Sequence, residues 1–220
     1  MNLLERLFLE PGNTITHLLA TLLACAGIPW LLYLTWDEPQ KMLSLLVYGL
    51  SLVALFAAST LLHGLKVTAR WRMWLNRFDH MAIFLLIAGT YTPIVINLFP
   101  QRWRVPVLGA VWLIAGTGML FKLLSARIHG FFNVSIYMIL GWGGAVPLSL
   151  ALQVVPLIGR SGLFLLLLGG LIYSVGFVIY YLERPNPWPG WLGHHEIWHL
   201  FVIGGSLCHY LFMLYHVVPG

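Results

Sequence analysis

Two histidines four residues apart, His195 and His199, open the last apolar stretch of this chain within the run His194-His195-Glu196-Ile197-Trp198-His199. On a helix they share one face about 6 Å apart, a spacing at which two imidazoles reach one zinc ion. The competing reading is ordinary helix packing or capping, so the pair does not identify a site by itself. Ser59 and His63 repeat the i, i+4 spacing at the end of the second apolar stretch, where a single histidine would by default be a satisfied interhelical donor. Phe78-Asp79-His80 opens the third, and an Asp at a helix start can simply be an N-cap meeting the positive end of the helix dipole. Each ionisable group placed inside a bilayer costs about 2.5–3.5 kcal/mol on insertion scales, so such groups pair with one another or bind something.

Connectivity turns three separate features into one. The end of the second stretch and the starts of the third and seventh lie on the same side of the membrane, which brings His63, Asp79, His195 and His199 to a similar depth. Three neutral imidazoles from two helices, with one position open for water, form the ligand set of a catalytic-type zinc site. Asp79 beside them would accept a hydrogen bond from the water or from a ligand imidazole, and Ser59, one turn deeper than His63, is close enough to support either. The expected metal ligands are therefore His63, His195 and His199, with Asp79 and Ser59 in the chemistry and Zn2+ as the cofactor. His195-Glu196-x-x-His199 also spells H-E-x-x-H, the zincin protease motif in which Glu is the general base, and Glu196 falls roughly 100° round the helix from His195.

The elements that must position these groups follow from composition. The 220 residues are 60% apolar and only 9% charged, with a mean hydropathy of +0.85. Soluble domains carry about 25% charged residues, so an ordinary soluble fold, a disordered chain and a small disulfide scaffold are all excluded. At about 20 residues per crossing, seven helices use the whole length. The expectation is an all-α polytopic bundle forming one membrane domain over 1–220, with spans near 14–34, 42–65, 79–99, 105–124, 130–153, 160–182 and 195–218. Trp36-Asp37-Glu38-Pro39, the basic run from Lys66 to Arg77, Pro100 to Arg104, Ser125-Ala126-Arg127 with His129-Gly130, and Arg184-Pro185-Asn186-Pro187-Trp188-Pro189-Gly190 read as the breaks. Pro29, Pro93 and Pro147 are expected to kink their spans, and Gly143-Gly144, Gly169-Gly170 and Gly204-Gly205 to let helices approach closely. Trp30, Trp36, Trp71, Trp74, Trp103, Trp188 and Trp191 flank the spans as interfacial belts do.

Charge sets the expected orientation. Twelve Lys and Arg against seven Asp and Glu give +5, but the basic residues lie between apolar spans, which points to topology and anionic headgroups and away from nucleic acid. Eight of them fall on the N-terminal side and four on the other, placing the N-terminus in the cytoplasm and the C-terminus outside. Glu5 and Glu10 spoil a signal-peptide n-region around Arg6, and Leu22-Leu23-Ala24-Cys25 only faintly resembles a lipoprotein cleavage box, so the first span is expected to stay. Cys25 and Cys208 both fall inside apolar spans, so an exposed redox pair is not expected, and neither reports a redox compartment.

Several blocks together resemble a known family: Ser59-x3-His63; Phe78-Asp79-His80 leading to Ala88-Gly89-Thr90-Tyr91-Thr92-Pro93; Arg184-Pro185-Asn186-Pro187-Trp188; His195-Glu196-x2-His199; and Ser206-Leu207-Cys208-His209, with Asn13-Thr14-Ile15-Thr16-His17 at the start. The chain resembles bacterial hemolysin III-type proteins of the progestin and adipoQ receptor superfamily, which includes the adiponectin receptors. The resemblance implies a seven-helix bundle in the bacterial plasma membrane. It implies zinc near the cytoplasmic face on His63, His195 and His199, with Asp79 and Ser59 in the water-holding and supporting positions. Adiponectin-receptor-like members are linked to ceramide hydrolysis and lipid signalling, and bacterial members carry a hemolysin label and ties to membrane energetics. The receptor branch has Gln where this chain has Glu196, so that residue need not be catalytic.

The leading expectation is a zinc-dependent hydrolase of a lipid amide or ester, with membrane lipids as partners and a substrate entering sideways from the bilayer. A receptor or sensor with structural zinc, a pore-forming cytolytic protein, and a translocator using Ser206, His209 and His216, which share the His195 face of the last helix, are the alternatives. His17 and His129 open spans on the metal side and are expected to cap or to sit at the interface. Thr90 shares a face with Asp79. His80 and His194 are expected off the inward faces, His194 lacking a histidine at i+4. Substrate and oligomeric state have no signature here.

Overall fold

The computed structural model describes residues 3–124, 130–143, 146–188 and 192–219. Ser125-Ala126-Arg127, His129, Gly144, Pro189-Gly190 and Trp191, which entered the reading above, lie outside the described residues. Among those described the architecture is helical throughout, apart from a single bridge between Trp188 and Leu192. The elements are α1 (Leu3–Leu7), α2 (Pro11–Leu34), α3 (Pro39–Gly64), α4 (Ala69–Leu98), α5 (Gln101–Leu124), α6 (Gly130–Gly141), α7 (Leu148–Leu182) and α8 (His194–Phe212), the last running into a π-helical turn at Met213–Val217. Among the described residues six helices are long and apolar enough to cross a membrane: α2, α3, α4, α5, α7 and α8 with its π turn.

Short loops make α2, α3, α4 and α5 successive neighbours, since a connection of a few residues can only return the chain beside itself. Pro11 and Pro39 start α2 and α3 at the first helical turn, where the missing N–H costs nothing. α7 packs along α8, and α8 closes the bundle against α2. The centre is filled by Leu31, Leu45, Tyr48, Val95, Phe212 and Met213, while Leu23, Leu113 and Leu148 face outward as a lipid-exposed surface requires. The α7–α8 contact depends on a missing side chain: a Cβ on Gly176 would stand 2.5 Å from Phe201 Cβ and 2.9 Å from the Trp198 ring. Small residues of this kind let helices in a bilayer reach van der Waals contact.

Two of the expected boundaries are corrected. α4 begins ten residues before Asp79, so the Lys66–Arg77 run is mostly helix and Asp79 lies inside α4, not at its cap. Arg, Met, Leu and Trp are adequate helix formers, and the charged turns continue beyond the apolar stretch. The continuous helix expected over 130–153 is interrupted: α6 ends at Gly141, Gly143 adopts a positive φ of 92°, and Pro147 caps the start of α7 instead of kinking a span. Pro147 cannot donate the N–H that a continuing helix needs, and only glycine takes Gly143's conformation cheaply. α7 is itself bent at Gly159, whose φ of 63° is left-handed.

Candidate metal centre

The first turns of α2 and α8, the last turn of α3 and the half-buried stretch of α4 around Asp79 meet at one end of the bundle. This is the end that carries Arg6, Lys66 and Arg72. His63, His195 and His199 converge there: one ring nitrogen of each lies within 4.8 Å of the others, and the ring centroids are 4.8–5.1 Å apart. His63 and His199 are buried and His195 is half-buried. Ring rotations close such a triangle onto one ion at the zinc–imidazole distance of about 2.0–2.1 Å. Three imidazoles, one carboxylate beside them and no thiol are a donor set suited to zinc or a similar divalent ion.

Asp79 and Ser59 lie beside the histidines. Ser59 is buried, and it lines an inner cavity together with Asp79, His199 and His195. This cavity, of about 250 Å³, runs from the histidine cluster along apolar side chains such as Leu55, Ile87 and Val202 to Tyr173 and His209. A second cavity of about 600 Å³ opens on the basic side and is lined by Glu10, His63 and Arg72. Asp79, His80, Tyr180 and His195 line both, so the cluster stands where a polar chamber meets an apolar one.

The other candidates sort by their contacts. Glu196 accepts a hydrogen bond from the Gly193 N–H at 2.8 Å, satisfying the backbone donor at the N-cap of α8. His194 is held by Asn186, from its own N–H at 2.9 Å and its ring Nδ1 at 3.0 Å, and stands outside the His63, His195 and His199 cluster. His80, expected off the inward face, instead lines both cavities, with Nδ1 donating to the Asn76 carbonyl at 2.8 Å. Thr90 lines the inner cavity, its hydroxyl returned to the Leu86 carbonyl. At the cavity's far end His209 stacks on Tyr173, whose hydroxyl shares a 2.8 Å hydrogen bond with Ser206. His216 stacks on Phe212 in the terminal π turn.

His17 corrects its expectation most plainly. It neither caps nor sits at an interface: it is 3% exposed and lies flat on His199, with ring centroids 3.6 Å apart and planes within 9°. Neither of its ring nitrogens has a hydrogen-bond partner.

Glu10 is the site residue that the sequence did not single out. Its Oε2 meets His63 Nδ1 at 2.5 Å, and Arg72 donates to its Oε1 at 2.8 Å. The His63 imidazole, ahead of the Arg72 and Asn13 contacts, draws the Glu10 carboxyl down to about 2, although partial burial pushes the other way. A depressed carboxyl keeps its charge until the pH falls towards that value, so Glu10 is ionised under all ordinary conditions. The signal was present: an acid immediately before a proline-started apolar helix, with Asn13 three residues on.

The family described as Haemolysin-III related matches residues 6–210. The chain is 34% identical to "Hemolysin-3" of Bacillus cereus, over 96% of this chain and 92% of that protein. It is 32% identical to "Hemolysin-3 homolog" of Bacillus subtilis (strain 168), over 95% and 94% respectively. It is 28% identical to "Monocyte to macrophage differentiation factor" of Homo sapiens, over 90% and 80%.

Proposed function

This chain belongs to the haemolysin-III-related family within the progestin and adipoQ receptor superfamily, a multi-pass integral membrane protein of the bacterial plasma membrane, and from that premise we propose that it is a metal-dependent hydrolase of lipid amides or esters. The observation that carries this reading is the position of the histidine cluster between an apolar and a polar chamber. An amphiphile lying across that junction places its acyl chain among Leu55, Ile87 and Val202 and its head towards Arg72. The bond between the two parts, an amide or an ester, then falls at the histidines.

In this reading His63, His195 and His199 hold zinc, which when bound acidifies water and polarises a carbonyl. Asp79 accepts the proton of the water whose oxygen attacks the acyl carbon. It then returns that proton to the leaving amine or alcohol as the C–N or C–O bond breaks, releasing a fatty acid. Ser59, which lines the same cavity as Asp79, is placed to orient that carboxylate or to steady the developing oxyanion. Among the described residues the cluster comprises three ligands, which leaves a coordination position for water and favours catalysis over a purely structural ion. The Glu196 carboxylate is engaged at the Gly193 N–H, which speaks against a zincin mechanism. Incubating the purified protein with ceramide-like amides and acyl esters should release fatty acid. No release from any lipid amide or ester would leave a zinc-holding sensor as the reading.

The proposal includes seven crossings. α7 has 35 residues, about 52 Å if straight, too long for a hydrocarbon core of about 30 Å. Its bend at Gly159 leaves a full-length helix after it. The residues before the bend combine with the 12 of α6 into one broken crossing. Seven crossings with the basic end inside put the N-terminus and the metal centre at the cytoplasmic face. A reporter fused after Gly220 should therefore read as external; a cytoplasmic signal would overturn this orientation.

A further inference from the structure

We propose that Glu10 and Thr16, on the turn that opens α2, are positioning residues of the metal centre, holding His63 and His199 with Nδ1 protonated and Nε2 free for the ion. The inference rests on the metal reading above. An imidazole can offer either ring nitrogen to an ion, and a partner on the other nitrogen decides which.

Both buried ligands have that partner, and both partners come from one segment. Glu10 Oε2 is 2.5 Å from His63 Nδ1, a carboxylate oxygen placed to accept that nitrogen's proton. Thr16 Oγ1 is 3.3 Å from His199 Nδ1. The Thr16 hydroxyl proton is already directed to the Asn13 carbonyl at 2.9 Å and the Gly12 carbonyl at 3.0 Å, so its lone pair faces the imidazole. His17 then lies flat against His199, covering one face of that ring.

The segment is anchored well enough to act as a clamp. The Glu10 N–H donates to the His63 carbonyl at 2.9 Å and the Leu9 N–H to the Gly64 carbonyl at 3.2 Å, satisfying the open end of α3. Asn13 Nδ2 donates to Glu10 Oε2 at 3.1 Å, and Arg72 reaches across from α4 to Oε1. Glu10 therefore ties the starts of α2 and α4 to the end of α3 around one ligand. A carboxylate on the far nitrogen also raises the basicity of the ligating one.

The test is zinc affinity of the solubilised full-length protein, measured by chelator competition, with thermal unfolding of the metal-free protein as the structural control. Glu10→Gln and Thr16→Val should each bind zinc about 10–100-fold more weakly with little change in metal-free unfolding. Thr16→Ser should recover the affinity. Arg72→Ala, which leaves the carboxylate on His63, should lose less than Glu10→Gln. Nitrogen NMR of histidine-labelled wild-type protein needs no variant to fold, and should show two zinc-bound imidazoles protonated at Nδ1 and ligated through Nε2. Unchanged affinity in both variants, or ligation of His63 and His199 through Nδ1, overturns the inference while leaving the metal reading standing. A wild-type protein that takes up no zinc overturns the metal reading itself.

Discussion

Replacing His63 and His199 together with alanine should take the purified protein from about one zinc per chain to none, as read by metal analysis. The pair is chosen because the two residues come from helices α3 and α8, separated by more than a hundred residues in the chain, and are the two buried members of the cluster. Removing both leaves His195 alone, and a single imidazole does not retain a divalent ion through purification. If the cluster were only a packed polar core, metal content would be negligible in wild type and variant alike. Undiminished metal in the double variant would place the ion elsewhere and end the centre as drawn. An anomalous-scattering map at the zinc edge would locate it directly.

Asp79→Asn should keep the metal and lower the rate of fatty-acid release by about 10²–10⁴-fold, the usual contribution of a positioned general acid–base group. Asparagine has nearly the shape of aspartate and can still meet Ser59, so the cavity wall is preserved. What it cannot do is take a proton from the attacking water and return it to the leaving group. Glu196→Gln is the matched control: glutamine accepts the same hydrogen bond from Gly193, so the start of α8 is kept and the rate should stay near wild type. Loss of activity in Glu196→Gln with Asp79→Asn active would reverse the assignment and restore the protease reading. Comparable activity in both variants would remove acid–base chemistry from this end of the bundle.

Much of this arrangement is legible without coordinates. Sixty per cent apolar residues in long runs oblige a bilayer-spanning helical protein, because only helices or closed barrels satisfy their backbone groups in hydrocarbon. Spacing of four residues puts His195 with His199, and Ser59 with His63, on shared helix faces whatever else the chain does. Loop parity brings the ends of three spans to one side. Those are properties of single helices and of counting, and the structure keeps all of them.

Other features were decided between helices. Asp79 looked like a cap and lies instead inside a longer α4, because the charged turns before it carry no helix-stopping residue. His17 looked interfacial and is instead pressed flat against His199, an outcome fixed by how α2 leans on α8. Glu196 completes a motif on paper but is turned back to the N–H of Gly193, the residue just before its helix, which an acid at the third helical position can reach. Glu10 had no motif at all. Its role exists only because its backbone fills the unpaired end of α3 and so delivers its carboxylate to His63, 53 residues away. Periodicity in a sequence specifies which residues share a helix face; which faces meet, and which loop residue drops between them, depends on the packing of every helix at once.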